Sequence, residues 1–210
     1  MYLFLCNFHT RIIVFRWKYL LKTMISNQNI LSERDKIFFF SLSEKRKHEF
    51  FMVRYALRKY FGINMDIFYD DKRKPFLPVP GKYISFSHSF DKIAIAISSY
   101  QIGIDIEKCR KNKKIIKIKE KFIRDDESIF INPNYEEDYL HVIWGIKESL
   151  YKLEGGMYYS FLTHYRVSPF CIKKDYCVSC WIIKDSYSKK LFAFYRKIED
   201  HYLVYIIDKK

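Results

Sequence analysis

The segment 135–154 constrains this chain most. Leu140, Ile143, Leu150 and Leu153 recur there at helical spacing, and Gly155-Gly156 stops the run. An apolar period of that kind sustained over this length commits the segment to one long amphipathic helix. Much of the rest reads differently. Ile93, Ile95 and Ile97 alternate with Lys92, Ala94, Ala96 and Ser98, and 82–89, 176–183, 191–195 and 202–207 also read as strands. A two-residue period is that of a strand. A second helix is predicted from Ser41-Leu42-Ser43-Glu44, whose order fits a capping box. It carries Phe50, Val53, Leu57, Tyr60 and Phe61 at helical spacing and ends at Gly62. Both parts of the chain therefore pair a helix with short antiparallel strands, which predicts an α+β fold. Residues 1–40 carry the weakest signal; 12–21 reads as a strand with its continuation.

Composition narrows the classes. At 210 residues the chain suffices for one generous domain or two packed halves, and 49% hydrophobic content excludes a disordered chain. Lys plus Arg number 38 against 24 acidic residues, a net charge of +14 that implies an anionic partner. The basic residues are scattered along the whole chain, which argues against a nucleic-acid face. Cys6, Cys109, Cys171, Cys177 and Cys180 are odd in number and irregularly spaced, unlike a disulfide framework, and favour a reducing compartment. Cys177 and Cys180 fall in a predicted strand that puts them on opposite faces, so they do not form a metal site. Arg11, Arg16 and Lys18 break the only N-terminal apolar stretch, and 1–6 is too short for a signal-peptide core. The expectation is a cytoplasmic protein with no membrane contact.

Two acidic segments carry chemistry. In Gly103-Ile104-Asp105-Ile106-Glu107, strand alternation puts Asp105 and Glu107 on one face and the isoleucines in packing. In Trp144-Gly145-Ile146-Lys147-Glu148-Ser149-Leu150-Tyr151-Lys152, Glu148 and Lys152 lie one turn apart on a helix face. Three carboxylates and a lysine converging on one point can hold a hard divalent cation and neutralise a phosphate beside it. The same spacing equally fits a half-exposed strand and an i,i+4 helix pair.

These segments resemble the signature of the 4′-phosphopantetheinyl transferases of the surfactin-synthetase-activating type. Further elements stand before and between them in the family's order: Lys45-Arg46-Lys47-His48-Glu49-Phe50 with Arg54, then Lys74-Pro75, then Phe86-Ser87-His88-Ser89, and Lys121-Phe122-Ile123-Arg124-Asp125-Asp126-Glu127. The resemblance covers 41–156. It implies two similar α+β halves related by a pseudo-twofold, 1–101 with the nucleotide contacts and 102–210 with the metal site and catalytic helix. It also implies a monomer with its site in the seam. The activity implied is Mg²⁺-dependent transfer of the 4′-phosphopantetheine arm of coenzyme A to a serine of an acidic apo-acyl or peptidyl carrier protein, releasing adenosine 3′,5′-bisphosphate. Asp105, Glu107 and Glu148 are then the metal ligands, and Lys152 neutralises the pyrophosphate. Glu148 or Glu127 is the general base. Arg54, Lys74, Pro75, Ser87 and His88 hold coenzyme A, with Lys147 a further phosphate contact, while Trp144 is structural. The sequence departs from the family at Arg73, where a glycine usually precedes Lys-Pro. An arginine is strained there if the position needs positive φ.

Two rival classes use the same residue types. A metal-dependent phosphodiesterase or nuclease needs paired carboxylates, a further glutamate and a lysine, but gives no reason for the Lys74-Pro75 and Ser87-His88 elements. A non-catalytic nucleic-acid-binding module needs basic residues gathered with aromatics on one face.

Overall fold

Strand β6 (Lys92–Ser98) shows how the two halves are joined. Every residue in it is buried, because the strand is covered on both faces. Ile93, Ile95 and Ile97 pack with Phe51, Met52, Val53 and Leu57 of the long helix α2 (Glu44–Phe61). Ala94 and Ala96, on the other face, pack against Ile102, Ile104 and Ile106 of β7 (Gln101–Lys108) and Leu203 of β11 (His201–Asp208). The alternation of large and small residues thus reads as helix side and seam side. Small alanines let the two sheets approach.

The computed structural model describes residues 2–17, 28–109, 114–156 and 160–209. Among these, one antiparallel sheet runs β1 (Tyr2–Cys6), β2 (Thr10–Arg16), β6, β5 (Tyr83–Ser89). The second runs β7, β11, β10 (Tyr187–Ile198), β9 (Cys177–Lys184), β8 (Tyr165–Val167). A two-stranded hairpin joins β3 (Phe68–Tyr69) and β4 (Pro75–Phe76). The chain leaves the first sheet after Ser98 and enters the second at Gln101. Each half packs one long helix on one sheet: α2 on the first, and α5 (Glu136–Glu154) on β7 and β11 of the second. The α+β class is confirmed.

Short helices α1 (Glu33–Phe40), α3 (Lys114–Lys117) and α4 (Asp125–Ser128) fill the connections. Helix α1 falls in the least legible part of the sequence, and the predicted strand there ends with β2 at Arg16; 18–21 lie outside the described residues. The capping box expected before α2 does not form. Ser43 is the N-cap but its side chain makes no cap hydrogen bond, and Glu44 instead pairs with Lys47 at 2.7 Å. Cys177 is exposed and Cys180 buried, as opposite faces of β9 require, and all five cysteines are free. Among the described residues no helix is long and apolar enough to cross a membrane.

Two glycines set how closely α5 lies on its sheet. A Cβ on Gly103 of β7 would sit 1.9 Å from the Ser149 carbonyl oxygen, and one on Gly145 would sit 2.6 Å from a Val204 methyl. Only hydrogen at both positions lets the helix lie directly over β7. That contact fixes Glu148 and Lys152 relative to Asp105.

Candidate active site

The serines of β5 connect the halves without a backbone ladder. Ser85 Oγ accepts from the Ile104 amide at 3.1 Å, and Ser89 Oγ accepts from the Lys108 amide at 3.1 Å. Between them, Ser87 Oγ donates to Asp105 Oδ1 at 2.7 Å. Strand alternation therefore turns Ser85, Ser87 and Ser89 to β7, and leaves Phe86 and His88 on the opposite face.

Asp105 is only 5% exposed, while Ile104 and Ile106 are fully buried in the seam. Lys152 Nζ donates to the same Asp105 Oδ1 at 2.7 Å and lies 3.9 Å from Glu148 Oε2. The lysine is thus closer to the strand carboxylate than to its own i,i+4 partner. Burial, repulsion from Asp105 and, last, repulsion from Glu107 push Glu148 up to about 7, against the pull of Lys152. Glu107 is partly buried and borders a small cavity with Lys108, His141 and Trp144. The Trp144 ring packs on Phe122 and Phe161, with centroids 5.1 and 5.4 Å away, a structural role.

The carboxylate is raised first by burial and only then by its acidic neighbours, and all three donors are hard oxygens suited to Mg²⁺. Among the described residues no three His, Cys, Asp or Glu side chains are already arranged to hold a metal ion. At Asp105, Oδ1 is taken up by Ser87 and Lys152. The donor chemistry fits a cation; the ammonium stands where one would compete.

Two cavities open beside this cluster. One, of about 230 Å³, is bordered by Tyr69, Arg73, Lys74, Phe86, Tyr151 and Lys152. The other, of about 590 Å³, is bordered by Arg46, Glu49, Arg54, Arg73, Phe86 and His88 among others. Arg73 and Phe86 belong to both. Lys74 reaches across from the hairpin and donates to the Leu153 carbonyl at 2.5 Å, capping the C-terminal end of α5. Gly155 permits this: it takes φ +64, and a Cβ there would crowd the Lys74 stem at 3.1 Å. Burial lowers the Lys74 ammonium below its ordinary range, although Asp70 and Glu154 oppose that.

A sequence model of the 4′-phosphopantetheinyl transferase superfamily matches residues 101–178, the stretch that holds Asp105, Glu107, Glu148 and Lys152. The resemblance read from the sequence is that superfamily's. A 4′-phosphopantetheinyl transferase of Bacillus subtilis is 31% identical over 111 residues, covering 50% of this chain and 49% of the relative. The 4′-phosphopantetheinyl transferase gsp of Aneurinibacillus migulanus is 29% identical over 143 residues, covering 63% and 59%. The chain thus spans between about half and three-fifths of the length of these curated relatives.

Against the superfamily's expectations, the structure gathers Asp105, Glu148, Lys152 and Ser87 at one point, sets Lys74 and Pro75 beside Lys152 in the smaller cavity, and puts His88 on the other face of β5. It removes others. Glu127 cannot serve as a base: it is fully buried, with Oε2 accepting from Lys147 Nζ at 2.7 Å and from the Arg124 amide at 3.0 Å, and Oε1 accepting from the Val167 amide at 2.8 Å. Lys147 is likewise no phosphate contact. It is fully buried and also donates to the Phe122 and Phe161 carbonyls at 2.6 and 3.1 Å. Arg54 is 4% exposed, forked onto Asp35 at 3.0 and 3.2 Å and stacked over the Phe50 ring, so its guanidinium is largely committed. Ser87 turns its hydroxyl to Asp105 and also borders the larger cavity. His88 Nε2 lies 2.7 Å from Glu49 Oε1 at the edge of the larger cavity.

Sequence reading missed Asp35 and Ser85, and the roles of Glu49 and of the two support glycines. Only the glycines had a signal. Each stands among bulky residues of a buried element, where a missing side chain marks a close approach.

Proposed function

We propose that this protein transfers the 4′-phosphopantetheine arm of coenzyme A to a serine of an acidic apo-carrier protein, with Mg²⁺, releasing adenosine 3′,5′-bisphosphate. The observation that carries the reading is the Asp105–Lys152–Glu148 cluster, whose Lys152 lines a cavity that also holds Arg73 and Lys74, within the stretch that matches the superfamily. The serine oxygen bonds to the phosphorus that bears the arm, and the bond from that phosphorus to the oxygen of the adenosine 5′-phosphate breaks. The serine proton goes to Glu148, whose carboxylate titrates near neutral pH and so suits proton abstraction. Lys152 meets the charge that grows on the departing phosphate.

Asp105, Glu107 and Glu148 would hold Mg²⁺, which when bound supplies charge neutralisation of the pyrophosphate. His88 and Lys74 would border the bound nucleotide. The net charge of +14 suits steering of an acidic carrier. Under this reading the enzyme acts as a cytoplasmic monomer with no nucleic-acid or membrane partner.

Incubation with coenzyme A, Mg²⁺ and an apo-carrier protein, followed by intact mass, tests the proposal. Attachment of the arm is expected. Consumption of coenzyme A with no gain of mass on the carrier means that water is the acceptor and that the chain is a phosphodiesterase.

A further inference from the structure

Arg73 occupies the left-handed region, with φ 61. Its Cβ makes that conformation unfavourable, whereas glycine adopts it freely. The turn that demands it is closed without the arginine side chain. The Asp70 amide donates to the Lys74 carbonyl at 3.1 Å, and the Arg73 amide to the Asp70 carbonyl at 2.8 Å. Asp70 Oδ1 accepts from the Lys72 and Lys74 amides at 2.9 and 2.8 Å. Among the described residues the Arg73 guanidinium has no hydrogen bond, ion pair or ring contact, and the residue is exposed. Strain is therefore retained at a position where the side chain returns nothing to the fold.

What the side chain does have is place. Arg73 borders both cavities: with Lys72, Lys74 and Lys152 on one side, and with Arg46, Arg54 and His88 on the other. Of the other cations, Arg46 and Lys72 are also exposed but each borders only one cavity, and the rest are committed. Lys74 is spent on the Leu153 carbonyl, Lys152 on Asp105, Arg54 on Asp35, and His88 on Glu49. A guanidinium with five donors at the junction of two basic cavities is matched by a ligand carrying phosphates in both.

We propose that Arg73 is a phosphate-binding residue of this site, a fork that binds the nucleotide part of coenzyme A at the point where the two cavities meet. The assignment rests on the coenzyme A reading above. It gives this chain a phosphate contact that Arg54, which the sequence favours for that role, is too committed to supply.

Arg73→Gly is the decisive variant, because glycine suits the backbone while deleting the fork. Its thermal midpoint should equal or exceed that of the parent, so loss of binding cannot be blamed on folding. Calorimetric titration with coenzyme A and with adenosine 3′,5′-bisphosphate should each show affinity weakened about ten- to a hundredfold, as expected for a lost charge-assisted pair. Arg73→Lys should recover only part of it. Unchanged affinity for both ligands in Arg73→Gly overturns the proposal. If the parent binds the bisphosphate but not coenzyme A, and Arg73→Gly loses that binding, the phosphate role stands and the coenzyme A reading fails. A parent that binds neither overturns both.

Discussion

Ser87 Oγ donates to Asp105 Oδ1 at 2.7 Å, and Lys152 Nζ donates to that same oxygen at 2.7 Å from the opposite half of the molecule. One carboxylate oxygen thus ties β5, β7 and α5 together at the seam. Ser87→Ala leaves Asp105 with one donor fewer in a site only 5% exposed. Such a loss costs about 1–3 kcal/mol. The expected outcome is a lower thermal midpoint together with slower arm transfer, because Asp105 is no longer held in one orientation. Ser85→Ala, which removes a hydroxyl bonded only to backbone, should lower stability alone. Equal rate losses in the two variants would show that the serines act only as seam fasteners.

Glu127 and Lys147 form a pair with neither side chain exposed. Removing one partner of such a pair strands the other charge and typically costs about 3–5 kcal/mol. Glu127→Gln and Lys147→Met should each unfold at markedly lower temperature. The folded fraction of Glu127→Gln, assayed in the cold, should transfer the arm at a rate close to the parent's. A stable Glu127→Gln protein with no transfer would restore Glu127 as the base.

Gly103→Ala tests how the helix is seated. Its Cβ would fall 1.9 Å from the Ser149 carbonyl oxygen, which is backbone and cannot swing away. The helix must lift, at about 1–3 kcal/mol for overpacking. Glu148 and Lys152 would lift with it, so transfer should fall more than stability. Differential scanning fluorimetry and the mass assay on one preparation separate the two.

What was legible in the sequence was what local periodicity carries. Alternation gave β6 and the inward isoleucines of β7, and helical spacing gave α5 with Glu148 and Lys152 one turn apart. Even the misfit of Lys147 was legible, since a residue next to Glu148 on a helix points elsewhere. Its destination was not. Glu127 lies twenty positions away and Asp35 nineteen from Arg54, and no periodicity links residues that meet only through the fold. The serines of β5 looked like part of a nucleotide motif because their spacing shows a shared face without showing what that face meets. Ser41 and Glu44 had the spacing of a capping box, yet Ser43 took the N-cap and Glu44 paired with Lys47.

Glu148 makes the stability of the metal-free chain depend on pH. Its folded-state value, about 7, stands above the ordinary 4.5 because burial and then Asp105 disfavour the charged form. Between about 4.5 and 7 the folded chain therefore holds a proton that the unfolded chain has lost. Stability from this group, in chelator, falls as pH rises through that window. In chelator, Glu148→Gln should be more stable than the parent at pH 8 and nearly equal to it at pH 4. With Mg²⁺ and carrier it should lose at least a hundredfold in rate. A parent whose stability is flat between pH 4 and 8 relative to Glu148→Gln removes the raised carboxylate from the account.

Lys152 separates rate from affinity. Its ammonium sits 2.7 Å from Asp105 and 3.9 Å from Glu148, so it answers to the carboxylate cluster more than to its own helix. If it meets charge that grows only as the bond to the nucleotide breaks, its contribution belongs to kcat. Deleting such a preorganised donor costs about 2.7–4 kcal/mol, or on the order of a hundredfold to a thousandfold in rate. Lys152→Ala should keep near-normal coenzyme A affinity while transferring the arm that much more slowly. The same change frees Asp105 Oδ1 from its ammonium, so Mg²⁺ titrated alone should bind more tightly to the variant than to the parent. A helix-pair role, worth only a few tenths of a kcal/mol, would leave rate and metal affinity both unmoved. Slower transfer with tighter metal binding is the combination that only a lysine standing between the carboxylates and the phosphate produces.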